Sequence, residues 1–271
     1  MLQPQENGTI TRNYFQSGAV KLSYLDFGGD SQRVLLLLHG HMNDARTFTQ
    51  FASRFTDWRV IGLDQRGHGW SEHAPGTDYS RESYINDILA FSKTVLDGAP
   101  VTILGHSLGG VNAYQFAARY PELVNAVIVE DVGVEIKADL SFTEKLPHRS
   151  PSLQDLRKSL EEVGVRAVDY FSESVFEDEH GWGFRSDLKG MPISQRNIDG
   201  EWWSDWLASS CPILLMHGKK SFVLNEAQAE RMVTQRPNTK LASFAECGHD
   251  IHSTDPDGYY RAVRSFLDEL Q

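Results

Sequence analysis

The strongest constraint in this sequence is an alternation: short, nearly unbroken apolar runs separated by stretches of helical periodicity. Ala19–Leu25, Val34–His39, Trp58–Leu63, Val101–Leu104 and Val124–Val129 read as strands. The run beginning at Val34 has no polar face to turn to water, as expected of a strand covered on both sides. Between the strands, Tyr84–Leu96 carries Ile85, Ile88, Leu89, Val95 and Leu96 at helical spacing and ends at Asp97-Gly98. Val111–Arg119 is a second helix, stopped before Pro121. Strands and helices in alternation predict an α/β fold, a mostly parallel sheet with helices on both faces.

The rhythm lapses after Val134 and returns at Pro212–His217 and Thr239–Ala245, with helices near Glu226–Thr234 and Tyr259–Leu270. Between them lies a mainly helical stretch. Ser152 precedes a stripe of Leu153, Leu156, Leu160 and Val163, Asp178–Gly183 reads as a polar turn, and Gln195–Leu207 contains three tryptophans. The expected organisation is one sheet domain interrupted once: residues 1–134, an insertion over 135–210, and residues 211–271.

Charge excludes several classes of function. With 26 basic against 37 acidic side chains, a net charge of -11 is wrong for displacing counterions from nucleic acid or for docking on an anionic membrane. Met1–Arg12 is polar and lacks the basic start and apolar stretch of a secretory leader. The two cysteines, Cys211 and Cys247, make no disulfide framework or ligand spacing, which fits a reducing cytoplasm. Cys247 stands two residues before His249, too close in sequence to read as its nucleophilic partner, so a small buried thiol is expected.

The residues that carry chemistry begin at Gly105-His106-Ser107-Leu108-Gly109, set between the Val101–Leu104 strand and the following helix. A strand–GxSxG–helix junction holds a serine on a tight turn, its hydroxyl lifted above the sheet and a helix N-terminus behind it. Together with His39-Gly40, Asp64-Gln65-Arg66-Gly67-His68-Gly69-Trp70-Ser71 and Cys247-Gly248-His249, this resembles the α/β-hydrolase superfamily over nearly the whole chain outside the insertion. The resemblance implies Ser107 as nucleophile and His249, in the loop after the last strand, as its base. His252 is the nearest rival, while His39, His68 and His217 read as structural residues at strand ends and turns.

One position departs from the commonest pattern of that family. Where most relatives carry the acid after the strand equivalent to Pro212–His217, this chain has Gly218-Lys219-Lys220-Ser221. The acid is therefore expected at the end of the preceding strand, where Asp131 matches a pattern found in some α/β-hydrolases; Glu130 is one residue off and points to the other side. A strand-end Asp paired with a serine at the vacated position resembles small capped esterases of the YbfF type, in which Ser221 supports the histidine–acid pair. A tolerated loop serine is the equally weighted alternative. Oxyanion donors are expected from the backbone N–H of Leu108 and of His41, with Met42 as the alternative to His41.

The 135–210 insertion is expected to cap the serine, and Met42, His106, Trp182, Trp203 and Phe222 are candidate pocket residues. Core packing competes with that role for each tryptophan. The function this implies is hydrolysis of a small-molecule carboxylic ester through an acyl-enzyme, with no metal, nucleotide or flavin and as a monomer or homodimer. Hydrolysis of a lactone or a C–C bond on the same triad is a second reading, and a ligand-binding receptor on a hydrolase scaffold a third.

Overall fold

The apolar runs form the middle of an eight-stranded sheet in the computed structural model, which describes residues 10–270. Its strands are β1 (Thr11–Ser17), β2 (Val20–Gly28), β3 (Val34–Leu38), β4 (Arg59–Asp64), β5 (Val101–His106), β6 (Val124–Glu130), β7 (Ile213–Gly218) and β8 (Thr239–Phe244). They lie in the order β1-β2-β4-β3-β5-β6-β7-β8. From β4 to β8 every pairing is parallel, while β1 and β2 add an antiparallel edge. This is the α/β-hydrolase fold.

Both faces of the sheet are covered, which is why β3, β5 and β6 read as apolar throughout. On one face Leu36, Leu38, Ile103, Val127 and Val129 pack with α1 (Arg81–Val95) and α2 (Leu108–Arg119). On the other, Leu35, Leu37, Leu104, Ile128 and Met216 meet the aromatic rings of Phe48, Phe51, Tyr259 and Phe266. Burying each such aliphatic chain contributes about 1.5–3 kcal/mol. Truncating the fully buried Ile103 to alanine at the sheet centre would cost about 2–5 kcal/mol through lost contacts and the cavity left behind.

Residues between β6 and β7 contribute no strand to this sheet. They form helices α3 (Leu153–Glu162), α4 (Val168–Ser172), α5 (Met191–Ile198) and α6 (Trp203–Ala208), with a small hairpin of Val175–Asp178 and Gly181–Phe184. Ser152 caps α3, its hydroxyl accepting the Asp155 N–H. Helices α7 (Glu226–Gln235) and α8 (Pro256–Asp268) complete the chain.

Two readings of the sequence need correction. Asp178–Gly183 is not simply a turn but the tip and second strand of the hairpin. Strand β1 was not anticipated, because an edge strand with only Phe15 and Ser17 buried lacks an apolar run. The N-terminal reading falls mostly on residues 1–9, outside the described residues. Among the described residues no helix is long and apolar enough to cross a membrane.

Candidate functional site

Three of the six non-glycine residues with positive φ among the described residues, Met42, Ser107 and Asp131, converge on one end of the sheet. Such conformations cost of order 1–3 kcal/mol each and persist where the surrounding structure fixes them. Ser107, with φ 52° and ψ -116°, is the sharpest: it joins β5 directly to α2. The flanking glycines are a matter of clearance. A Cβ on Gly105 would strike the Gly109 carbonyl, and one on Gly109 would strike the Leu38 carbonyl of β3. The Ser107 N–H is bonded to the Glu130 carbonyl at 3.0 Å, which pins the elbow to β6. Leu108 is the first residue of α2, so its N–H has no intrahelical acceptor and is free for a ligand oxygen.

Asp131 follows β6 in a left-handed conformation (φ 49°), and its N–H bonds the Met216 carbonyl of β7 at 2.9 Å. The buried carboxylate accepts three hydrogen bonds. His249 Nδ1 donates at 2.9 Å, the Gly218 N–H at 3.0 Å, and the Ser221 hydroxyl to the oxygen shared with His249. A carboxylate oxygen only accepts, so Nδ1 is the donor in this pair, and Nε2 is the nitrogen left without a partner on Asp131. No direct hydrogen bond joins His249 to Ser107 among the described residues, but both side chains line the same cavity of about 660 Å³.

The turn after β3 supplies another wall. His41 lines the cavity, and its Nε2 pairs with the Ser194 hydroxyl of α5 at 2.8 Å; Ser194 also meets the Tyr84 hydroxyl at 2.9 Å. Burial, reinforced by Arg81, pushes the His41 pKa down to about 3, so the ring is neutral at physiological pH. The insertion holds the turn from outside: Tyr170 donates to the His41 carbonyl at 3.1 Å, and Ser174 to that of Met42.

Several residues expected in the pocket lie elsewhere. Met42 is fully buried beneath the turn and is not in the cavity wall. His106 is also buried, donating from Nε2 to the His249 carbonyl at 2.9 Å with its ring 4.6 Å from that of His249; it props the histidine from behind. Trp182 lies on the hairpin, bridged to Ser150, and Trp203 donates its indole N–H to Glu135. Neither faces the cavity. Phe222 does line it, 86% exposed at the rim, with its ring 5.8 Å from His249. The wall is instead largely aliphatic and comes from the insertion, chiefly Ile136, Leu140, Phe142, Val163, Val165 and Phe171. Cys247 is 2% exposed in the opposite core, and burial raises its thiol pKa.

The sequence reading missed a second buried carboxylate–histidine pair beside the first. Glu130 accepts from His252 Nδ1 at 2.8 Å, from the His252 N–H at 2.9 Å and from the Tyr259 hydroxyl at 2.9 Å. Burial alone would raise the Glu130 pKa, but His252 and His106 bring it down to about 2. His252 is correspondingly raised: burial opposes its charge, and the Glu130 carboxylate outweighs burial. Its other nitrogen meets the Thr47 hydroxyl at 2.8 Å, which in turn bonds Glu173 of the insertion at 2.6 Å. Adjacent acids on opposite sides of one strand end, followed by two histidines three residues apart, were the available signal.

A family model described as the alpha/beta hydrolase fold matches residues 33–160. The chain is 25% identical over 263 residues to 2-(acetamidomethylene)succinate hydrolase of Mesorhizobium japonicum, covering 93% of each. Among solved structures, E-2-(acetamidomethylene)succinate hydrolase superposes with a TM-score of 0.83 at 20% identity, over 96% of this chain and 100% of the other. A marine microorganism esterase superposes with a TM-score of 0.79 at 24% identity, over 90% and 98%. At these identities the superpositions speak to the fold alone.

Proposed function

Because the chain belongs to the α/β-hydrolase superfamily, we propose that it is a serine hydrolase cleaving carboxylic esters of small or medium acids through an acyl-enzyme. The observation that carries this reading is the buried Asp131 carboxylate fixing His249 by Nδ1, in a cavity shared with Ser107. In this reading Nε2 of His249 takes the Ser107 proton as the hydroxyl attacks the ester carbonyl. Asp131 holds the tautomer and offsets the charge that develops on the imidazole. The Leu108 N–H, with that of His41 or Met42, receives the oxyanion. The imidazolium then protonates the leaving alcohol, and neutral His249 activates water to release the acid.

Ser221 is a fourth member, its hydroxyl donating to Asp131 and keeping that carboxylate turned toward His249. The 135–210 segment acts as a cap whose aliphatic side chains receive the acyl or alcohol group. A wall of this kind favours an uncharged hydrocarbon portion of limited length over a long chain.

The test pairs a fluorophosphonate probe with a series of aryl esters of increasing acyl length. The wild type should be labelled stoichiometrically and turn over short and medium esters. Ser107→Ala should lose labelling and lower kcat by on the order of 10⁶. Labelling that persists in Ser107→Ala, or no turnover at any chain length, overturns the proposal. Turnover of a lactone or a vinylogous diketone in place of every ester moves the reading to the alternative chemistry on the same residues.

A further inference from the structure

Away from the serine, a second cavity of about 440 Å³ opens at the seam between the sheet domain and the insertion. Its floor is Trp70, and its roof comes from Phe176 and Phe184 of the hairpin. The Arg185 guanidinium lies between the rings, 3.8 Å from the centroid of Trp70 and 4.3 Å from that of Phe176. Two more arginines approach Trp70, Arg12 at 3.9 Å and Arg46 at 4.7 Å. Each of those has a carboxylate: Arg12 pairs with Asp64 and Arg46 with Asp44. Arg185 makes no ion pair among the described residues, and its Nε is buried without a hydrogen-bond partner.

Of the three arginines around Trp70, Arg185 is thus the one without a carboxylate at ion-pair distance among the described residues. The neighbouring Ser186 hydroxyl is also unsatisfied, although the residue is 3% exposed and lines the same cavity. Two adjacent polar groups without partners are costly where they are buried. Lys189, His73 and His148 surround the opening, together with Arg149, which is paired with Asp178 at 2.8 Å. Asp187, the acid in the wall, is engaged by the Tyr79 hydroxyl at 2.7 Å. In a protein of net charge -11 such a concentration of cations is not the average surface. Burial and the nearby Arg46 lower the Arg185 pKa, the direction expected of a guanidinium missing its counterion.

We propose that this cavity binds a small oxyanion, a carboxylate or phosphate group, on Arg185 and Ser186. Arg185 donates through its planar guanidinium and Ser186 through its hydroxyl, while the two aromatic rings keep the guanidinium flat and oriented. The volume exceeds that of a bare phosphate, so an organic anion with a small body fits as well as the inorganic ion.

The experiment is calorimetric titration of the full chain with inorganic phosphate and, separately, with succinate, at ionic strength held constant with chloride. Wild type should bind at least one of them with a Kd in the millimolar range or below; the arm that binds more tightly tells phosphate from carboxylate. Arg185→Gln should weaken that Kd at least tenfold, and Ser107→Ala should leave it unchanged because the sites are separate. If Arg185→Gln fails to fold, Lys189→Gln, at an exposed position on the rim, should still weaken binding several-fold. Absence of binding by the wild type up to tens of millimolar overturns the proposal. So does a Kd that none of the cation substitutions moves.

Discussion

Glu130 and Asp131 are consecutive, fully buried acids, and each holds a histidine of the same loop by Nδ1. What separates the two pairs is the fate of the other ring nitrogen. In His252 it is bonded to Thr47, the side chain is 2% exposed, and every polar atom of the pair has a partner inside the protein. In His249 the side chain is 14% exposed and borders the cavity with Ser107. The same two functional groups therefore make a structural clasp at His252 and, on the proposed mechanism, a proton-transfer pair at His249, depending on whether one nitrogen is left for a substrate. Chemistry follows from an unfilled valence for hydrogen bonding, and stability from a filled one.

Substitution can break that division, and the largest effect belongs to the open pair. Asp131→Asn should lower kcat on an aryl ester by about 10⁴, the loss expected when the acid no longer fixes the tautomer. Circular dichroism and melting curves should stay close to wild type. Near-normal turnover would remove Asp131 from the mechanism. Glu130→Gln should do the reverse, lowering stability by about 3–5 kcal/mol through an uncompensated buried His252. The kcat of its folded fraction should fall less than about tenfold. Urea titration and kinetics on the same samples check both, and a dead but stable Glu130→Gln would erase the distinction.

The closed pair also predicts a stability profile. The Glu130 share is present above its unfolded value near ~4.3 and is lost as pH falls toward its folded value of about 2. The His252 share is present below ~6.5 and is lost as pH rises through its raised folded value. His39, His41, His68 and His106 act oppositely. Burial lowers their pKa values, so unfolding takes up protons and stability erodes as pH falls below ~6.5. Melting temperature across pH 5–9 should therefore decline on both sides of a maximum, and Glu130→Gln should flatten the alkaline limb while keeping the acid one. The smallest effect is expected at Ser221: alanine there removes one hydrogen bond to a carboxylate, about 1.5–3 kcal/mol, lowering kcat roughly 10- to 100-fold.

How much of this was readable in the sequence depended on whether a residue's surroundings were local. The parallel strands were legible because burial on both faces leaves an unbroken apolar run. The elbow was legible because its glycines answer to backbone contacts within a few residues and to β3. The choice between Glu130 and Asp131 used a resemblance to some α/β-hydrolases together with strand alternation, and in the structure the two acids do diverge to His252 and His249. The pocket was not legible. Trp182, Trp202, Trp203 and Trp206 drew attention by size, yet three of these indoles spend their N–H on Ile198, Glu135 and Met232 in packing. The wall came from valines, isoleucines and phenylalanines that look like core, because which side of an inserted segment faces a cavity is decided by contacts far away in the chain.

The grip of the insertion on the turn after β3 has a further consequence. Tyr170 and Ser174 hold the carbonyls of His41 and Met42, Glu173 takes the Asn43 amide at 2.8 Å, and Ser194 holds the His41 ring. Lifting the insertion to admit a large molecule would release all four bonds at once and let that turn relax. On the proposed mechanism a gaping molecule would be a disarmed one. The arrangement would then work as an interlock, with the chamber shut before the oxyanion-side backbone is in position.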